Sequence, residues 1–234
     1  MSTNFQRPSG TTTSSWPATA SGGNALSASS QRVLRNTYAL LGLTLAFSAG
    51  VAGLSMSMGL PHPGLILTLI GFFGLSFLVN KTANSGWGVL AVFALTGFMG
   101  YTLGPILSGV LSLPNGSGII TSALGTTAAA FLGLSAIALT TKRDFSFMGK
   151  FLFVGVLVAF ALGLGAMFFN MPALSLAVSG LFVLLMSGMI LYETSRIVNG
   201  GETNYVLATT SLFVTIYNLF VSLLSLFGMG GSNE

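Results

Sequence analysis

The chain has 234 residues, of which 52% are hydrophobic and only 5% charged, with a formal net charge of +4 and no cysteine; its mean hydropathy is +0.86. Soluble domains carry about 25% charged residues, so this composition excludes a soluble globular protein and defines a polytopic membrane protein. The missing cysteines exclude disulfides, thiolate metal sites and cysteine nucleophiles, and eight basic residues scattered along the chain make no nucleic-acid face.

Residues 1–30 are rich in Ser and Thr (13 of 30), with Arg7 the only charge. So few apolar side chains cannot offset the entropy of ordering, and the segment is expected to be a disordered cytoplasmic tail ahead of a seven-helix transmembrane domain over 31–230. It has no apolar region behind a basic start, so it does not read as a secretory signal. Seven apolar runs follow, at about 36–58, 64–80, 87–111, 118–140, 148–169, 173–197 and 205–228, each long enough to cross roughly 30 Å of hydrocarbon as a helix. Turn chemistry separates them, as in Pro61-His62-Pro63-Gly64, Pro114-Asn115-Gly116 and Asn199-Gly200-Gly201. The runs are continuously apolar, whereas strands of a membrane barrel alternate over about ten residues, so the expected class is all-α.

The 31 glycines suit helices that approach closely in lipid. Small residues recur every fourth position at Gly125, Ala129 and Gly133 in the fourth run and at Gly155, Ala159 and Gly163 in the fifth. Both sets are expected to pack inside the bundle. Pro105 should kink the third run. With the N-terminus inside, Arg7, Arg32, Arg35, Lys81, Lys142, Arg143, Lys150 and Arg196 all fall on the inner side and the outer loops receive no basic residue. That asymmetry sets the N-terminus in the cytoplasm and the C-terminus outside.

Little in the chain can carry catalysis. His62, the only histidine, sits between two prolines in a loop and reads as a turn residue. There is no HExxH, no phosphate-binding GxxxxGK[ST] and no pair of intramembrane Asp residues, so neither enzymatic activity, metal nor cofactor is expected. What stands out is Glu193, the only acid set into an apolar run. A charged side chain at the centre of a span costs roughly 2.5 to 3.5 kcal/mol on insertion scales, so its presence calls for a reason. Arg196 follows one turn on, and Thr215 and Asn218 share a face of the last run and could be turned toward the bundle interior. Glu193, Arg196, Thr215 and Asn218 are therefore the candidate pore or gating cluster. The alternative is that Glu193 snorkels to the interface or pairs with Arg196 at i+3.

At LYETSRI, followed by GGETNY and YNLFVSLLSLFG, the chain resembles the Bax inhibitor family of small seven-span membrane proteins. The likeness covers residues 32–228, and RVLRNTYALLGLTLAFSA, PGLILTLIGFFG, GYTLGPIL, LTTKRDFSF and PALSLAVS look most like its bacterial YccA-like branch. The resemblance implies six helices around a central seventh. In calcium-leak members of the family it implies a pair of carboxylates that close a pore in a pH-dependent way. Glu193 matches the first carboxylate, Thr215 stands at the second, and the first two runs lack the basic residue that pairs with the carboxylates. The YccA-like branch is associated with FtsH, a membrane-anchored AAA protease, as a poorly dislocated substrate that modulates it. The resemblance thus implies a protein of the bacterial inner membrane that binds the FtsH complex, with a pH-sensitive calcium or proton leak as the alternative.

Overall fold

The computed structural model describes residues 27–141 and 143–230. The tail expected over 1–30 lies, up to residue 26, outside the described residues. Among the described residues the regular elements are seven α-helices: α1 (Ala28–Ser57), α2 (Leu65–Thr82), α3 (Trp87–Leu111), α4 (Gly116–Thr141), α5 (Met148–Phe168), α6 (Pro172–Val198) and α7 (Tyr205–Gly230). All seven are long and apolar enough to cross a membrane.

Six of the seven lie close to the apolar runs, and α1 departs from its run by starting eight residues early. Ser27 caps it, its hydroxyl oxygen accepting from the Ser30 amide at 3.1 Å. The polar turns before Asn36 stay helical because a cap and intrahelical bonds suffice there, whereas hydropathy reports only the part that must sit in lipid.

α7 is the axis. It packs against α1, α2, α3, α4 and α6, while α5 leans on α6 alone among the described residues. Its side chains run through both halves of the core. Leu212 and Phe213 meet Leu41, Val79, Leu95 and Ile197 toward one end, and Leu219 and Leu223 meet Ala123, Leu185 and Ile190 toward the other. By contrast α2 buries a single residue, Val79, and is a peripheral strut.

Three loops and the start of α1 gather at one end. Asn204 Nδ2 donates to the Ala83 carbonyl at 3.0 Å and to Asn84 Oδ1 at 2.9 Å, tying the α6–α7 loop to the α2–α3 loop. Ser195 Oγ donates to the Arg143 carbonyl at 2.9 Å and accepts from the Phe145 amide at 3.1 Å, holding the α4–α5 loop on α6. In that loop Asp144 accepts from the Ser146 amide at 2.8 Å, and the hydrogen bonds from Ser146, side chain and backbone, keep its carboxyl below the usual carboxylate range. α6 ends in a Schellman motif: the Gly201 amide reaches the Arg196 carbonyl at 2.8 Å and the Gly200 amide that of Ile197 at 3.3 Å. Gly200 sits at φ +75°, a conformation that glycine adopts without the Cβ clash.

Pro105 lies inside a helix that continues to Leu111. Proline has no N–H, so the Tyr101 carbonyl one turn back loses its intrahelical donor. Ser55 Oγ of α1 replaces it at 3.1 Å. The small-residue sets divide. Gly155 and Gly163 face Leu185 and Val178 of α6, and Ala159 is fully buried, as expected for packing within the bundle. On α4 the expectation fails: Gly125 and Gly133 face open space and Ala129 is exposed. The buried face of α4 is instead Ala123, Thr127, Ser135 and Ala138. In lipid an outward face needs no polarity, so two stripes of equal period are indistinguishable by composition.

Candidate functional site

The run Tyr192 to Arg196 lies on the last two turns of α6, where the helix is flanked by α4, α5 and α7. Successive residues are turned by about 100°, so each meets a different neighbour. Tyr192 covers Gly149 of α5, Glu193 faces α7, Thr194 faces α4 with its hydroxyl 3.4 Å from that of Ser135, and Ser195 holds the α4–α5 loop. Thr194 and Ser195 are both fully buried.

Glu193 is 7% exposed and Thr215 3%. The Thr215 hydroxyl donates to the Glu193 carboxyl, 3.2 Å from each oxygen. One proton is shared over two acceptors, and Thr215 is the only hydrogen-bond donor to that carboxyl among the described residues. The alternative ion pair is not formed. Arg196 Nη2 instead lies 3.3 Å from Glu202 Oε2 and 3.3 Å from the Gly201 carbonyl, with the guanidinium 5.6 Å over the Tyr192 ring.

The structure thus brings Glu193 and Thr215 together, sets Arg196 beside them on the loop side, and leaves Asn218 apart. The Asn218 amide donates to the Val214 carbonyl of its own helix at 2.8 Å. A shared face with Thr215 did not suffice, because a back-bonded amide satisfies itself without a partner helix. A small cleft of about 10 Å³, room for about one water, lies between α6 and α7, lined by Glu193, Arg196, Ile197, Glu202, Ala208 and Ser211. Among the described residues no three His, Cys, Asp or Glu side chains converge as metal ligands do. His62 serves its turn, Nδ1 accepting from the Gly64 amide at 3.0 Å.

Sequence reasoning missed the partners that polar side chains find across helices: Ser135 for Thr194, and Thr102 for Tyr217, whose hydroxyls lie 3.0 Å apart. It also passed over Asn204, which caps α7 by accepting from the Val206 amide at 2.9 Å. Asn ahead of an apolar run is a readable cap signal; the hydroxyl partners have none, since Ser and Thr occur throughout these spans.

Fold and site define a class: a seven-helix integral membrane protein with, among the described residues, one buried carboxyl, set between its last two helices. Residues 30–232 match the family model described as inhibitor of apoptosis-promoting Bax1, and the chain belongs to the Bax inhibitor family. It is 56% identical over 202 residues to an uncharacterised protein of Pseudomonas aeruginosa, covering 86% of this chain and 91% of that one. It is 54% identical over 200 residues to the modulator of FtsH protease YccA of Escherichia coli K12, again covering 86% and 91%. A protein of Escherichia coli O6:H1 named inner membrane protein YccA matches with the same identity and coverage.

Proposed function

We propose that this chain is a protein of the bacterial inner membrane that binds the FtsH protease and modulates it as a substrate dislocated poorly. The observation that carries the reading is the 54% identity, over 86% of the chain, to a protein named as a modulator of FtsH. The packing supports it physically. Pulling on the chain from its N-terminus would have to strip α1 from α3 and α7 and break the bonds of Ser55 Oγ to the Tyr101 carbonyl and of Thr209 Oγ1 to the Thr37 carbonyl, and leaving buried polar groups unpaired is costly. Orientation belongs to the same proposal. Arg32, Arg35, Lys81, Arg143, Lys150 and Arg196 fall at the end where the loops are joined, which the basic-residue rule assigns to the cytoplasm, with the C-terminus periplasmic. The Ser- and Thr-rich residues 1–26 then lie on the protease's side.

The test is co-purification of FtsH with the tagged full-length protein from native membranes, with the half-life of an unrelated FtsH substrate followed as the protein is overproduced. We expect FtsH in the eluate and a longer half-life for the competitor. Deletion of residues 2–25 should slow the protein's own degradation while leaving it inserted. A clean eluate and an unchanged competitor would refute the proposal. A second reading, a calcium or proton leak, is favoured by one observation, the carboxyl of Glu193 buried against Thr215 beside a cleft. Flux through liposomes holding the purified protein tests it.

A further inference from the structure

The segment Asn199 to Asn204 is fixed at both ends, its middle amides bond the last turn of α6, and one ion pair joins its Glu202 side chain to that helix. At its start Asn199 Nδ2 donates to the Ser195 carbonyl at 3.0 Å, and at its end Asn204 bonds the α2–α3 loop and caps α7. Between them Gly200 and Gly201 supply the turn, and Glu202 reaches back to Arg196. Glu202 is itself pre-set, its Oε1 accepting from the Asn204 amide at 3.0 Å. Arg196 is oriented from the other side by the Tyr192 ring. Both ends of the contact therefore stand in fixed positions before they meet.

The contact lies on the cleft. Arg196 and Glu202 line it together with Glu193, Ala208 and Ser211, and exposure falls inward: the side chains of Arg196 and Glu202 are 35% and 18% exposed, while Glu193 is 7% and Ala208 4% exposed. We propose that the Arg196–Glu202 pair is a latch, two side chains that close over the cleft beside the α6–α7 strap and restrict the entry of water and small cations to Glu193. Because the Gly200, Gly201 and Glu202 amides stay bonded to the Ile197 and Arg196 carbonyls, releasing the pair frees the two side chains and leaves the strap and the bundle intact. The latch does not rest on the proposed modulation of FtsH. It acts whether Glu193 holds a cation, exchanges a proton or only reports the state of the cleft.

The absence of native cysteine permits a direct test. Ala208→Cys places a thiol on the cleft wall, and Ala123→Cys places one in the core of α4, where the native residue is fully buried. Reaction with a small trimethylammonium methanethiosulfonate is timed on the purified full-length protein. Glu202→Gln and Arg196→Gln should each raise the rate at position 208 roughly two- to fivefold, the population change that loss of a partly exposed ion pair produces. Position 123 should be unaffected. Arg196→Glu combined with Glu202→Arg should return the rate toward the native value. An unchanged rate at 208 in both single variants overturns the latch, as does a parallel acceleration at 123, which would mean that the whole bundle has loosened.

Discussion

Replacing Thr215 by Val keeps the shape of the side chain and removes the hydroxyl that serves the buried carboxyl of Glu193. A typical intramolecular hydrogen bond is worth about 0.5 to 1.5 kcal/mol net in water-soluble proteins, and leaving a buried partner unsatisfied costs about 1 to 3 kcal/mol. Between transmembrane helices measured values average about 0.6 and reach about 1.7 kcal/mol. The 3.2 Å distances are long for an O–H···O bond and the proton is divided, which argues for the lower part of these ranges. The worked expectation is a loss of about 1 to 2 kcal/mol for Thr215→Val. Glu193→Leu should cost less, because the freed Thr215 hydroxyl can turn to a carbonyl of its own helix, as Thr209 and Thr210 do on the same helix. Adding Thr215→Val in the Glu193→Leu background should then cost almost nothing, since replacing both partners with apolar groups is nearly neutral. Equilibrium unfolding of the purified protein in mixed micelles, titrated with sodium dodecyl sulfate, measures all four corners of this cycle. Equal costs of Thr215→Val in both backgrounds would show that the hydroxyl contributes nothing to Glu193 and would refute the reasoning.

Three more outcomes follow from the same geometry. Ser55→Ala should destabilise the bundle by about 0.6 to 1.7 kcal/mol by stripping the Tyr101 carbonyl of its donor. The cost should largely vanish in a Pro105→Ala background, where α3 regains an N–H that can reach that carbonyl; thermal unfolding in detergent reads the difference. Thr215→Asp sets a second carboxyl against Glu193, and two such groups titrate as a pair. Purified variant in liposomes should carry cation flux whose acid inhibition Glu193→Gln abolishes, and robust acid-inhibited flux through the native protein would contradict the need for the pair. For orientation, single cysteines at Ser2, His62, Asn115 and Ser232 can be labelled from outside intact spheroplasts. His62, Asn115 and Ser232 should react and Ser2 should not; the reverse pattern inverts the topology.

The sequence by itself determined the seven spans and the shared end of their basic residues. The reason is that lipid imposes one requirement on every span, a run of apolar residues long enough to enclose its own backbone hydrogen bonds, and that requirement is met locally. Glu193 was legible for the same reason: a carboxyl in such a run is costly enough to stand out. Lipid also erased the signal that a soluble fold offers, because a helix face turned to hydrocarbon looks like one turned to a neighbour. Only the tertiary structure decided that α4 buries Ala123 and Thr127 and not Gly125 and Ala129. It likewise decided that Thr215 reaches Glu193 while Asn218 bonds its own helix, and that Arg196 pairs with Glu202 across the loop and not with Glu193 one turn away. Ser55 meeting the carbonyl that Pro105 abandons, 46 residues distant in sequence from Tyr101, is of this kind too. Each is a choice among polar partners of similar chemistry, and what settles such a choice is which backbones lie side by side.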